Sequence, residues 1–271
     1  MFMSDQNSFK PVNNNLRDSE FNRYSRQIML NDWGEAGQLK LKNSRVVVVG
    51  CGGLGSVVAS YLAGIGVGFL SLIDGDDVEL SNLPRQLTFD MDSLDLNKSD
   101  ELMQRLYAQN DDVDIMINPI HLDNFNIHDL LSGHDLVLDC TDNFDTRLLI
   151  NQWCVLNGVS LMSGSVIGWQ GQLLLVDNAA KHGCYQCLFG SLSGGSSKAQ
   201  ESCSTMGVNP AMVGVVGSYQ ANQAVRYLLG LSTPLSNKIA LVDGTTMAVN
   251  LLNRQVNNTC DVCASLRGEH H

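Results

Sequence analysis

Apolar residues along this chain cluster in short unbroken runs that alternate with longer stretches of helical spacing. Ser44 to Gly50 ("SRVVVVG") holds an apolar β-branched run of four valines, as expected of a strand buried on both faces. A helix is predicted from Leu54 to Gly64 and a second strand over Phe69 to Asp74, which together make a βαβ unit. Ahead of it, "SEFNRYSRQIML" has the spacing of a short helix, after a polar lead-in over residues 1–18. Beyond it the pattern predicts a loop in "LSNLPRQLTF", a helix over Ser99 to Gln109 and a strand over Asp135 to Cys140. The loop "TDNFDT" and a helix through Asn157 come next, then short strands in "SLMSGS" and "GQLLLV". A Gly- and Ser-rich stretch near 190–205 is expected to be a mobile crossover. A long apolar helix from Pro210 to Gly230 and a strand from Lys238 to Asp243 complete the series. Alternating elements of this kind predict one doubly wound α/β domain over 19–271, its sheet mostly parallel and covered on both faces.

Charge narrows the function. A formal net charge of −11 over 271 residues lacks the basic face that gripping a nucleic-acid backbone requires. No apolar run is long enough to cross a bilayer, and the first residues lack the order of a secretory signal, so a cytoplasmic location is expected.

The turn after the first strand, Gly50-Cys51-Gly52-Gly53-Leu54-Gly55, carries the first candidate chemistry. Small residues let the backbone approach a phosphate while the next helix points its N-terminal amides at the anion. Asp74, 19 residues past Gly55, closes the second strand where a carboxylate can bind a ribose hydroxyl. NAD and ATP fit this much equally. Arg26, Arg85, Gln86 and Lys98, in a chain with only 17 Lys and Arg, together with Asp142 and Asn143 after the "DLVLDC" strand, form a set suited to a triphosphate with Mg²⁺. Singly, each is a surface charge. As a set they favour ATP over an intact dinucleotide.

Cysteine spacing adds a metal. Cys184 and Cys187 form one C-x-x-C and Cys260 and Cys263 another, and two such pairs can close a tetrahedral structural Zn²⁺ site. Redox chemistry at the first pair is the competing reading. Cys51, Cys140 and Cys154 have apolar neighbours and are expected in the core.

The motifs "RYSRQI", "GCGGLG", "DGDDVELSNLPRQ", "LDCTDNFDTR" and the paired C-x-x-C resemble the ThiF/MoeB/HesA family, bacterial relatives of ubiquitin-activating enzymes, from Arg23 to Cys263. The resemblance implies that Gly50, Gly52, Gly53 and Gly55 cradle ATP, with Gly53 against its phosphates and Asp74 on its ribose. It places Ser81, Asn82, Leu83, Pro84 and Arg85 in the nucleotide pocket, Lys98 on a phosphate, and Asp142 with Asn143 at the Mg²⁺ and nucleotide. Arg26 corresponds to a residue that enters the site from the other subunit of a homodimer. Pro84 departs from the family, where glutamine is common, and has no amide hydrogen to donate. Cys203, in "ESCSTMGV", matches a cysteine associated with sulfur transfer, though a bystander thiol fits the residues equally well.

The implied function is ATP-dependent adenylation of the C-terminal Gly-Gly carboxylate of a ubiquitin-fold sulfur carrier protein, for thiazole or molybdopterin synthesis. A separate sulfur donor would be needed. A tRNA-modifying dehydratase is the alternative within the family, and an NAD-dependent oxidoreductase the alternative outside it.

Overall fold

The computed structural model describes residues 15–190 and 207–267, so Cys203 and most of the expected crossover lie outside the described residues. After α1 (Asp18–Ile28) and α2 (Gly34–Lys42), the chain enters β1 (Arg45–Val49), α3 (Gly53–Gly64) and β2 (Phe69–Ile73). Then come α4 (Lys98–Gln109), β3 (Asp114–Asn118), α5 (Ile127–Leu131), β4 (Leu136–Asp139) and α6 (Phe144–Asn157). The second half holds β5 (Ser160–Ile167), β6 (Gln170–Val176), two short helices α7 (Ala179–His182) and α8 (Tyr185–Phe189), α9 (Pro210–Leu228), β7 (Lys238–Asp243) and β8 (Ala248–Asn253).

One eight-stranded sheet runs in the order β3-β2-β1-β4-β5-β6-β7-β8. The pairings from β3 across to β5 are parallel, with Val46 opposite Leu70 on one side and Leu136 on the other. From β5 to β8 the strands pair antiparallel. Antiparallel neighbours need only hairpin turns, which is why no helical crossover joins β5 to β6 or β7 to β8. The order reverses between β1 and β4, and ligands bind such sheets in the crevice beyond the strand ends at that point.

Alternation along the central strands builds two cores. Val46 and Val48 of β1, Leu70 and Leu72 of β2, and Leu136 and Leu138 of β4 pack with Val58, Leu62, Leu102, Leu106, Val213 and Val216 from α3, α4 and α9. On the other face Val47, Val49 and Val137 meet Leu131, Ile150, Trp153 and Cys154 of α5 and α6. Because successive strand side chains point to opposite faces, four consecutive valines serve both layers.

The chain pattern missed α2, β3, α5, α7, α8 and β8. Among these, β3 is only half-buried and β8 is an exposed edge, so neither shows a clean apolar run. Among the described residues, no helix is long and apolar enough to cross a membrane.

Candidate functional site

The β1–α3 turn is held in a shape that few residues tolerate. Gly50 has φ +87°, in the left-handed region, and a Cβ there would stand 2.9 Å from the Cys140 carbonyl oxygen. At Gly55 an added Cβ would fall 1.8 Å from the Gly50 carbonyl oxygen, so the first turn of α3 lies directly on the end of β1. That close approach brings the positive N-terminal end of α3 to the mouth of the crevice.

Around this turn lies a cleft of about 880 Å³, lined by residues from both halves of the sheet. Gly50, Gly52, Gly53, Asp74, Ser81, Pro84, Arg85, Lys98, Asp142 and Asn143 all contribute to its wall. Gly55, Asn82 and Leu83 are not among the lining residues: Gly55 packs beneath the turn, and Asn82 is buried under its own loop. There Asn82 Oδ1 accepts from the Glu79 amide at 3.2 Å, and its Nδ2 donates to Ser81 Oγ at 3.3 Å. Arg26 is exposed on α1 and does not line the cleft of its own chain.

Asp74 ends β2 with its carboxylate accepting from the Cys51 amide at 2.6 Å and the Asp76 amide at 2.9 Å. Burial pushes its pKa above the ordinary carboxylate value, against the pull of those two amides and Lys98. Lys98, buried at the start of α4, ion-pairs with Asp76 at 2.9 Å, a tether that the residue pattern had not shown. Arg85 is held on its own loop by donating from Nη1 to the Ser81 carbonyl at 2.8 Å. Gln86, in the lining and only 4% exposed, has an Oε1 without a hydrogen-bond partner. A polar ligand group there would relieve an unmade hydrogen bond.

The loop carrying Asp142 is anchored by a buried network. Asp139, at the end of β4, accepts from Ser163 Oγ at 2.6 Å, from the Thr141 amide at 3.1 Å and from Thr141 Oγ1 at 2.7 Å. Arg147, buried on α6, lies 3.5 Å from Asp139 and donates to Ser163 Oγ, to the Gly164 carbonyl and to the Thr141 carbonyl. Gln220 of α9 donates to the Asp139 and Met162 carbonyls from the opposite face of the sheet. Asn143 caps α6 by accepting the Thr146 amide at 2.9 Å. The signal in the sequence is weak: Arg147 stands on the same face as the apolar Ile150 and Cys154 of α6.

The four paired cysteines converge. Their Sγ atoms lie within 4.8 Å of one another, with neighbouring pairs at 3.4, 3.8 and 4.0 Å. Zn–S bonds of about 2.3 Å in a tetrahedron put sulfurs about 3.8 Å apart, so the thiols fit a zinc ion with no open position. The Cys184 thiol and backbone amides pull Cys187 down to about 4, whereas its hydrogen bond to Cys187 and burial push Cys184 well up and burial pushes Cys263 up to about 11, so without metal the thiolate is concentrated on Cys187. By contrast Cys51, Cys140 and Cys154 are buried and burial pushes their thiols up, the state of inert core residues.

Comparison with known proteins agrees with this arrangement. The ThiF family matches residues 24–262. This chain belongs to the ThiF family. The sulfur carrier protein ThiS adenylyltransferase of Escherichia coli (strain K12) is 40% identical over 248 residues, which is 92% of this chain and 97% of that protein. The adenylyltransferase and sulfurtransferase MOCS3 of Caenorhabditis briggsae is 41% identical over 229 residues, 84% of this chain. The chain spans about half the length of that relative, 56%. Among solved structures, E. coli MccB superposes with a TM-score of 0.78 at 25% identity, over 96% of this chain and 76% of that one. MccB has also been crystallised with AMPCPP and MccA, and that structure matches at 25% identity and a TM-score of 0.77, over 89% of this chain and 74% of that one.

Proposed function

We propose that this ThiF-family chain adenylates the C-terminal carboxylate of a ubiquitin-fold sulfur carrier protein of ThiS or MoaD type. The observation that carries this reading is the convergence of Lys98, Arg85 and Asp142 on one cleft at the N-terminus of α3. It is supported by the 40% identity to a protein named as a ThiS adenylyltransferase. A dinucleotide oxidoreductase would use the glycine turn and Asp74 but would leave those cations and Asp142 without work.

In the proposed reaction a carrier carboxylate oxygen attacks the α-phosphorus of ATP. The new O–P bond forms as the bond to the departing pyrophosphate breaks, giving an acyl-adenylate. Asp74 receives the ribose, and the amides at Gly53 with Arg85 and Lys98 compensate phosphate charge. Lys98 enters already oriented by Asp76, which lowers the ordering cost of gripping the phosphates. Asp142 is exposed to the cleft as an oxygen donor that would hold Mg²⁺, whose charge would neutralise the leaving pyrophosphate. Arg26 would act in the neighbouring subunit of a homodimer, consistent with its exposure on α1. The cysteine cluster would hold structural Zn²⁺, and sulfide-level sulfur from a separate donor would attack the acyl carbon of the adenylate, forming the C–S bond of a thiocarboxylate as AMP leaves.

The test is exchange of labelled pyrophosphate into ATP with purified ThiS- and MoaD-type carriers. Exchange dependent on one carrier, and lost in Asp74→Ala and Arg85→Ala, is expected. Absence of exchange with every Gly-Gly-ended carrier would overturn the proposal.

A further inference from the structure

The four-cysteine cluster and the nucleotide cleft share one rigid element, α6. At its start the helix carries the Thr141–Asp142 loop, and one turn in, Arg147 ties that loop to β4 and β5. One further turn in, Asn151 is fully buried. Its Nδ2 donates to Cys184 Sγ at 3.6 Å, and its Oδ1 accepts the Tyr185 amide at 2.9 Å. Tyr185, between the two cysteines of the first pair, is buried and reaches the cleft wall. Its ring lies 6.2 Å from that of Phe144, itself in the lining, and 4.6 Å from that of Phe189.

From this geometry we infer that metal at the four thiols and nucleotide in the cleft bind cooperatively, with Asn151 and Tyr185 as the positioning residues that link them. Metal at the four thiols holds Cys184 Sγ in place, and with it the Asn151 contacts to that sulfur and to the Tyr185 amide that join α6 to α8. That fixes α6 against α8, which sets both the Tyr185 ring in the cleft wall and the register of the Asp142 loop. Linkage is reciprocal: nucleotide that orders the loop must hold the metal more firmly by the same factor. The inference rests on the proposed nucleotide site and gives the metal a role beyond joining the C-terminal segment to the middle of the chain.

The experiment uses the zinc-loaded protein and follows zinc transfer to a chromophoric chelator, with and without saturating Mg–AMPCPP, whose binding is titrated separately. Nucleotide is expected to slow transfer by about 5-fold or more, within the usual range of coupling between sites. In Asn151→Leu and Asn151→Ala, neither of which alters the cleft lining, the ratio should fall towards one while nucleotide still binds. If AMPCPP binds the wild-type protein and transfer is unchanged, the inference fails while the proposed function stands. If AMPCPP does not bind at all, both fail. Slowing that persists undiminished in the variants overturns the route through these residues, and the wild-type comparison decides the cooperativity even where a variant does not fold.

Discussion

Arg147→Met removes the cation from the most enclosed charge pair among the described residues while keeping most of the side-chain volume. Asp139 is fully buried, and Arg147 is 6% exposed. After the substitution Asp139 keeps its bonds from Ser163 and Thr141 but loses the guanidinium 3.5 Å away. Stranding one member of a buried pair costs about 3–5 kcal/mol, a large share of a typical total of about 5–15 kcal/mol. The Thr141 and Gly164 carbonyls also lose their donor. Urea unfolding followed by circular dichroism should therefore show a lower midpoint for Arg147→Met. Adding Asp139→Asn should return part of the loss, with a coupling energy of at least about 1 kcal/mol, because neither charge then remains unmatched. A loss under about 1 kcal/mol, or strict additivity of the two substitutions, would refute the claim that this pair anchors the Asp142 loop.

Gly55→Ala should lose both stability and AMPCPP binding in calorimetry, since its Cβ would sit 1.8 Å from the Gly50 carbonyl oxygen and force α3 off the end of β1. Wild-type behaviour in both would show that the helix end is not what grips the phosphates. Glu20 is 2% exposed and pairs with Lys42 at 2.7 Å. Burial pushes its pKa up, but the Arg17 amide and Lys42 outweigh burial and hold it below the ordinary 4.5. A depressed carboxylate contributes stability that is complete above its unfolded pKa and lost as pH falls through the folded one. Glu20→Gln should therefore lower the urea midpoint at pH 7 and match wild type once pH is well below the carboxylate range, and a constant gap across that range would contradict this.

Much of the fold was legible because the central strands are buried on both faces and so are apolar without interruption. The β1 valines, the glycine turn and the Asp74 that follows it needed no tertiary information. The exposed edge strand β8 and half-buried β3 were hidden because their environments impose no sharp alternation. At the site, charged residues that line the cleft could be picked from a chain poor in cations. The partners that hold them could not: Asp76 at Lys98, Arg147 at Asp139 and Asn151 at Cys184 meet only once strands, loops and helices distant in sequence are packed together. Asn82 shows the converse, a candidate for the pocket whose polar groups are spent inside its own loop.

Intact-mass spectrometry of the carrier after incubation with this protein and MgATP is the most direct measurement of carboxyl activation. A carrier heavier by one AMP moiety, with the gain abolished when its last glycine is removed, is the expected result. An unmodified carrier accompanied by release of ADP, or turnover of NAD in place of ATP, would contradict it.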